Sequence, residues 1–272
     1  MKRNFEHTPE SSQAAAEFER LVHIMAALRA PDGCPWDREQ THESLRPYLI
    51  EETYEVLDSI DRKAYGELKK ELGDLLLHIV FHAQLAHEEK LFDIAGVLHE
   101  INEKLIRRHP HVFGDAVVNS TDDVNKQWEK IKLNETHKPQ LLSGVPKNQP
   151  ALNRAYRVQE KAAAVGFDWP SDEPVWKKMT EEIEELKQEL AEGDREKIEA
   201  EFGDLLFTMV NLGRKLNIHP EEALRGSIQK FTNRFGQIEL QLNEEGVPLH
   251  EAGLEKMDKL WDLAKEREKE NA

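Results

Sequence analysis

A five-residue acidic pattern occurs twice in this 272-residue chain, and the repetition constrains the fold more than any other feature. Glu51-Glu52-Thr53-Tyr54-Glu55 is followed by Glu71-Leu72-Gly73-Asp74-Leu75-Leu76. Glu181-Glu182-Ile183-Glu184-Glu185 is followed by Glu201-Phe202-Gly203-Asp204-Leu205-Leu206. Glu55 and Glu71 are 16 residues apart, as are Glu185 and Glu201. Downstream, Lys104 and Arg108 match Lys230 and Arg234, and each copy closes on Trp-x-x-x-Lys, at Trp128…Lys132 and Trp261…Lys265. A solvated acidic face has no reason to keep register across a turn, so the pattern marks an internal duplication.

Apolar residues recur at three- and four-residue spacing, while runs of alternating Val, Ile and Thr are nearly absent. The expected class is all-α, with two tandem helical-bundle domains. The spacing predicts helices over 14–29, 45–59, 67–87, 94–107, 124–134, 175–191, 196–216, 220–244 and 254–269. Residues 138–150 hold three prolines and one glycine and read as a linker or extended crossover. The expected domains are therefore 1–137 and 151–272.

On a helix, Glu182 and Glu185 share one face, as do Glu201 and Asp204. The midpoint between Glu185 and Glu201 is Gly193, inside a turn signal, so a helical hairpin folded there sets the two pairs opposite each other. In the first copy the midpoint is Lys63, with a similar outcome for Glu52, Glu55, Glu71 and Asp74. Four carboxylates this close repel unless a cation neutralises them. Oxygen ligands of this kind favour Mg²⁺ or Mn²⁺ over zinc.

Other classes are disfavoured. A net charge of −16 argues against nucleic-acid binding and against anionic membrane surfaces. Cys34 is the single cysteine, which excludes internal disulfides and cysteine-based zinc sites. The first residues carry no signal-like apolar stretch, and a cytoplasmic location is expected. No glycine-rich phosphate loop is present, so a triphosphate would be held through metal and cationic side chains. His78 and His82 lie among apolar residues without the zincin glutamate and read as core. His109-Pro110-His111 reads as a turn, and the charged run 265–270 as a solvated helix end.

The paired acidic motifs, their tandem arrangement and the segment Gly33-Cys34-Pro35-Trp36-Asp37 resemble the MazG family of all-α nucleoside triphosphate pyrophosphohydrolases. The resemblance spans nearly the whole chain. It implies a homodimer that cleaves nucleoside triphosphates, over a broad base range, to monophosphate and pyrophosphate in nucleotide-pool housecleaning. It implies a metal held by Glu182, Glu185, Glu201 and Asp204, and places Lys178, Lys197, Lys230, Arg234 and Trp261 around the nucleotide. Lys132, near the end of the first copy, is a family-level candidate for a neighbouring site. Glu181 or Glu182 could accept the proton of the attacking water. Trp261 could stack on a base or belong to the core. Asn211, two turns after Asp204, could bind ribose or phosphate, or cap a buried carbonyl.

The copies are not equivalent. Tyr48 stands opposite Lys178, Glu67 opposite Lys197 and Phe81 opposite Asn211. The second copy is therefore the expected main active site. The first keeps its acids and could retain metal binding. A non-catalytic nucleotide- or metal-binding regulator is the alternative reading.

Overall fold

The computed structural model describes residues 8–121, 123–124, 127–128, 131 and 141–270. They form two compact units, Met1–Ile131 and Lys132–Ala272. Among the described residues every regular element is helical. The first unit contains α1 (Pro9–Arg29), α2 (Pro35–Glu39), α3 (Arg46–Asp61), α4 (Tyr65–Glu88), α5 (Ile94–Arg108) and α6 (Pro110–Phe113). The second contains α7 (Ala151–Ala164), α8 (Glu173–Glu192), α9 (Arg195–Lys215), α10 (Pro220–Glu244) and α11 (Leu254–Glu270), with 3₁₀ turns at Leu141–Gly144 and Leu249–Glu251.

Helix ends follow local chemistry. Thr8 and Ser11 cap α1 reciprocally. Asp93 accepts from the Gly96 amide at 2.8 Å to start α5. Asp194 accepts from the Glu196 and Lys197 amides to start α9. Gly193 ends α8 in the left-handed region at φ 80°, where a glycine carries no Cβ penalty. Lys63 turns the α3–α4 connection at φ 55°. The two hairpins thus bend at the midpoints expected from sequence.

The core of the first unit gathers Met25, Leu45, Val80, Phe81 and Leu85, backed by Phe18, Leu21 and Leu77. Arg29 is set into its edge. Its guanidinium pairs with Glu88 at 2.7 Å, lies over the Phe81 ring at 5.4 Å, and donates to the carbonyls of Asp37 and Gln40. One side chain thereby joins α1, α2 and α4. Beside it, a Cβ on Gly33 would fall onto the carbonyl oxygens of Ala27 and Leu28. Gly33→Ala must therefore rebuild the end of α1. A loss of more than about 2 kcal/mol is expected in urea unfolding, and an unchanged midpoint would show that the turn tolerates a side chain.

Three differences from the sequence reading stand out. Helix α7 occupies 151–164, where no helix was expected; its one buried side chain is the polar Gln159. The proline-rich stretch is not extended throughout: Leu141–Gly144 coil into a 3₁₀ turn packed on α7, and Val145 is buried. Pro35–Glu39 forms a short helix where none was expected, while the turn read at His109-Pro110-His111 is present as the single turn Pro110–Phe113. The expected helix over 124–134 lies partly outside the described residues.

Candidate metal and nucleotide site

Helices α8 and α9 pack against each other across the Gly193-Asp194 turn, as α3 and α4 do in the first unit. In the second unit this brings carboxylate oxygens of Glu182, Glu201 and Asp204 within 4.8 Å of one another. In the first unit the corresponding triad is Glu52, Glu55 and Glu71. Glu185 and Asp74, the fourth expected ligand of each set, stand just outside these triads. Both are still felt electrostatically. Burial, then the charges of Glu185, Asp204 and Glu182, push the Glu201 carboxyl up. Burial, then Asp74, Glu55 and Glu71, do the same to Glu52. Burial and the neighbouring Glu71 raise Glu55.

These environments favour a cation. The donors are all carboxylate oxygens, and one of them, Glu52 Oε2, is buried without a partner. The side chains fit a hard divalent ion such as Mg²⁺ or Mn²⁺. In the second unit Lys178 approaches the triad, with its ammonium 2.7 Å from Glu181 and 2.8 Å from Glu182. Glu181, then Glu182, hold that ammonium well above the usual lysine range. Glu182 itself is only 4 % exposed, so its counterion is supplied locally. Tyr48 replaces this lysine in the first unit and offers Glu52 no charge.

The sign of the pH effect follows from the raised groups. A carboxyl whose folded pKa lies above its unfolded value stabilises the fold at low pH and loses that contribution as pH rises through the folded pKa. Without metal, Glu201→Gln should therefore melt progressively higher than the native chain as pH climbs from 4.5, the ordinary glutamate value, towards neutrality. Paired thermal melts check this. A difference that is flat with pH would show that Glu201 is not repelled by its neighbours. Saturating Mg²⁺ should narrow the gap.

The remaining expected residues form further groups. Lys197 lies 3.5 Å from Glu189 and 3.8 Å from Glu192, at the turn end of the hairpin. Arg234 pairs with Glu268 at 2.6 Å and lies over the Trp261 ring at 5.4 Å. Trp261 also packs against Phe231, with ring centroids 5.1 Å apart. Lys230 acts on Glu268 from the same helix. Arg108 lies over Trp128 at 5.3 Å in the first unit, so the duplication extends to this contact. Asn211 Oδ1 accepts from Arg214 at 2.8 Å. Although burial works the other way, Arg214 and Lys215 hold the Asp168 carboxyl below its usual range. Lys132 lies outside the described residues. His78 is buried, and His82 meets His42 through their Nδ1 atoms at 2.7 Å. Sequence reasoning missed Gln159, Asp168 and Arg214; the i, i+3 spacing of Asn211 and Arg214 was the available signal.

The family model for the MazG nucleotide pyrophosphohydrolase domain matches twice, over residues 40–113 and 171–238. Each match contains one carboxylate hairpin. The nucleoside triphosphate pyrophosphohydrolase/pyrophosphatase MazG of Thermotoga maritima is 51% identical over 255 residues, covering 93% of this chain and 97% of that protein. The nucleoside triphosphate pyrophosphohydrolase of Escherichia coli K12 is 44% identical over 258 residues, covering 93% of this chain and 98% of that protein. Two domain matches, one on each acidic hairpin, and relatives aligned along almost their full length show that this chain belongs to the MazG family.

Proposed function

We propose that the chain hydrolyses nucleoside triphosphates to nucleoside monophosphate and pyrophosphate, with Mg²⁺ held in the second unit and Mn²⁺ as a substitute. The observation that carries this reading is the Glu182–Glu201–Asp204 cluster with Lys178 at its edge. Glu182, Glu201 and Asp204 hold the ion, and Glu185 adds charge to the same face. When bound, the ion polarises phosphate oxygens and lowers the pKa of water. Glu181 is exposed and tied to Lys178, a position from which it can accept the water's proton. Lys178 exchanges a carboxylate partner for a phosphate oxygen as substrate arrives.

Lys197, Lys230 and Arg234 supply further positive charge. Trp261, set against Phe231 and beneath Arg234, braces that guanidinium. Lys132 is kept as a candidate contributor on family grounds. Broad base tolerance, a cytoplasmic setting and a role in clearing unwanted nucleotides fit a site built chiefly around phosphate. No described helix is long and apolar enough to cross a membrane.

A homodimer is part of this reading. Leu224, Ile228 and Phe231 on α10, and Phe202, Leu206 and Met209 on α9, form exposed apolar stripes at helical spacing. Such stripes favour pairing with a second copy. Light scattering should report twice the 31.5 kDa chain mass; a monomer at working concentration would remove this element.

A metal-binding, non-catalytic role suits the first unit. Its Glu52–Glu55–Glu71 triad persists, while Tyr48, Glu67 and Phe81 replace the residues a triphosphate would use.

Product analysis tests the main reading. Purified protein is incubated with each common NTP and dNTP plus Mg²⁺, and phosphate is counted with and without inorganic pyrophosphatase. Monophosphate, with phosphate released only after pyrophosphatase is added, is the expected result. Diphosphate and free phosphate would assign a different phosphohydrolase, and no product would leave a regulatory binding protein.

A further inference from the structure

In the second unit a cavity of about 500 Å³ opens between α7, the segment 165–169 and α9. Its wall includes the aromatic rings of Phe167, Trp169 and Phe207 and the polar side chains of Gln159, Asn211 and Arg214. Three independent features single it out.

The first is the internal comparison. Asn211 corresponds to Phe81 at the same offset of 130 residues that relates Glu182 to Glu52. Phe81 is 3 % exposed and packed among Met25, Leu45 and Val80. Where one copy closes its core with a ring, the other has a shorter polar side chain and an open cavity.

The second is a set of unsatisfied polar atoms. Gln159 is 6 % exposed. Its Nε2 donates to the Phe207 carbonyl at 2.8 Å, which leaves Oε1 a buried acceptor without a partner. Arg214 Nε is also buried and unpartnered. An unmet buried group costs about 1–3 kcal/mol, and a ligand that meets it recovers that cost. Asn211 is oriented by Arg214, which can only donate, so Oδ1 faces Arg214 and the amide NH₂ is left to donate elsewhere. The cavity therefore offers an acceptor on Gln159 and a donor on Asn211.

The third is position. Asp204, Phe207 and Asn211 follow one face of α9. At 1.5 Å rise per residue, Asn211 stands about 10 Å along the axis from Asp204. That matches the scale on which a base is separated from the phosphates of its own nucleotide.

We propose that this cavity is the nucleobase subsite, an inference that rests on the pyrophosphohydrolase reading above. The base lies against the aromatic wall, gives one hydrogen bond to Gln159 Oε1 and accepts one from Asn211 Nδ2. Each common base carries an adjacent donor and acceptor on its pairing edge. One glutamine and one asparagine thus hold any of them without strong selection.

The test uses Gln159→Leu and Asn211→Phe, the latter introducing the first copy's residue. KM for a dNTP should rise about tenfold or more in each, with kcat changed less than about threefold. Inhibition by inorganic tripolyphosphate, which has no base, should stay within about twofold of the native value. An unchanged KM in folded variants, or a tripolyphosphate constant that moves in parallel with KM, overturns the subsite. Gln159→Leu keeps the size of the side chain, so it carries the result if Asn211→Phe melts early. A native chain that yields no monophosphate sinks the parent reading instead. Calorimetric binding of adenosine or thymidine, lost in Gln159→Leu, would still support the subsite, and its absence in the native chain would overturn it.

Discussion

Asp204→Asn should lower turnover of nucleoside triphosphates by at least about 10³-fold, equivalent to about 4 kcal/mol of transition-state stabilisation. The substitution keeps the size of the side chain and removes one charge from a cluster whose oxygens lie within 4.8 Å. Its helical circular dichroism should be unchanged. Without metal, the variant should melt no lower than the native chain, because a repelled carboxylate has been removed. The matched substitution Asp74→Asn should change turnover by less than about threefold, since Tyr48 and Glu67 stand in the first unit where the second has Lys178 and Lys197. Equal losses from the two variants would show that both hairpins catalyse. Persistent turnover in Asp204→Asn would remove the metal assignment. The pair of variants separates catalysis from architecture, because the same chemical change is made at equivalent places in two copies of one hairpin.

Arg29→Met should destabilise the first unit by about 3 kcal/mol. The Arg29 side chain is 8 % exposed and Glu88 is 37 % exposed, so solvent screens one partner and lowers the loss below that of a fully buried pair. Methionine fills the stem's volume against Phe81 and removes the charge. The carbonyls of Asp37 and Gln40 then lose their donor, which loosens α2 from α1. Urea unfolding checks the magnitude. Adding Glu88→Gln should cost less than the sum of the two single changes, because the second substitution removes a charge already left without its partner. Strict additivity would mean that the pair contributes nothing as a pair.

Much of the architecture was legible because helices announce themselves through local period and local caps. Pro220–Glu244 was bounded correctly, and most other long helices were placed within two residues of their ends. The hairpin midpoints were legible because Gly193 and Asp194 encode a turn through their own backbone and cap preferences. Helix α7 was not legible. Its packing rests on a buried glutamine bonded to the carbonyl of a residue 48 positions away, a relation that no local period reveals. The carboxylate cluster was legible as a set but not in its inner membership. Spacing puts Glu182 and Glu185 on one face equally well, and only the packing of α8 on α9 draws Glu182 inward while leaving Glu185 at the edge. Lys178 and Arg234 were picked out as cations. Helical spacing already put Glu181 and Glu182 within reach of Lys178, whereas Glu268, 34 residues from Arg234, emerges only from the folded arrangement.

Duplication also sets a problem of assembly fidelity. Two hairpins with the same spacing of acids invite helices to pair with the wrong copy during folding. Sequence proximity opposes this. Joining α8 to α9 closes a loop of two residues, whereas pairing α3 with α9 closes one of more than a hundred, and on the logarithmic loop-closure scale the longer path costs about 3–4 kcal/mol more. Side-chain identity adds a second barrier. If α9 docked in place of α4, Asn211 would enter the cluster of Met25, Leu45 and Leu85 that Phe81 completes, and its amide would be stranded among hydrocarbon at about 1–3 kcal/mol. The divergence at positions 81 and 211 therefore keeps nascent copies from trading helices, independently of any ligand.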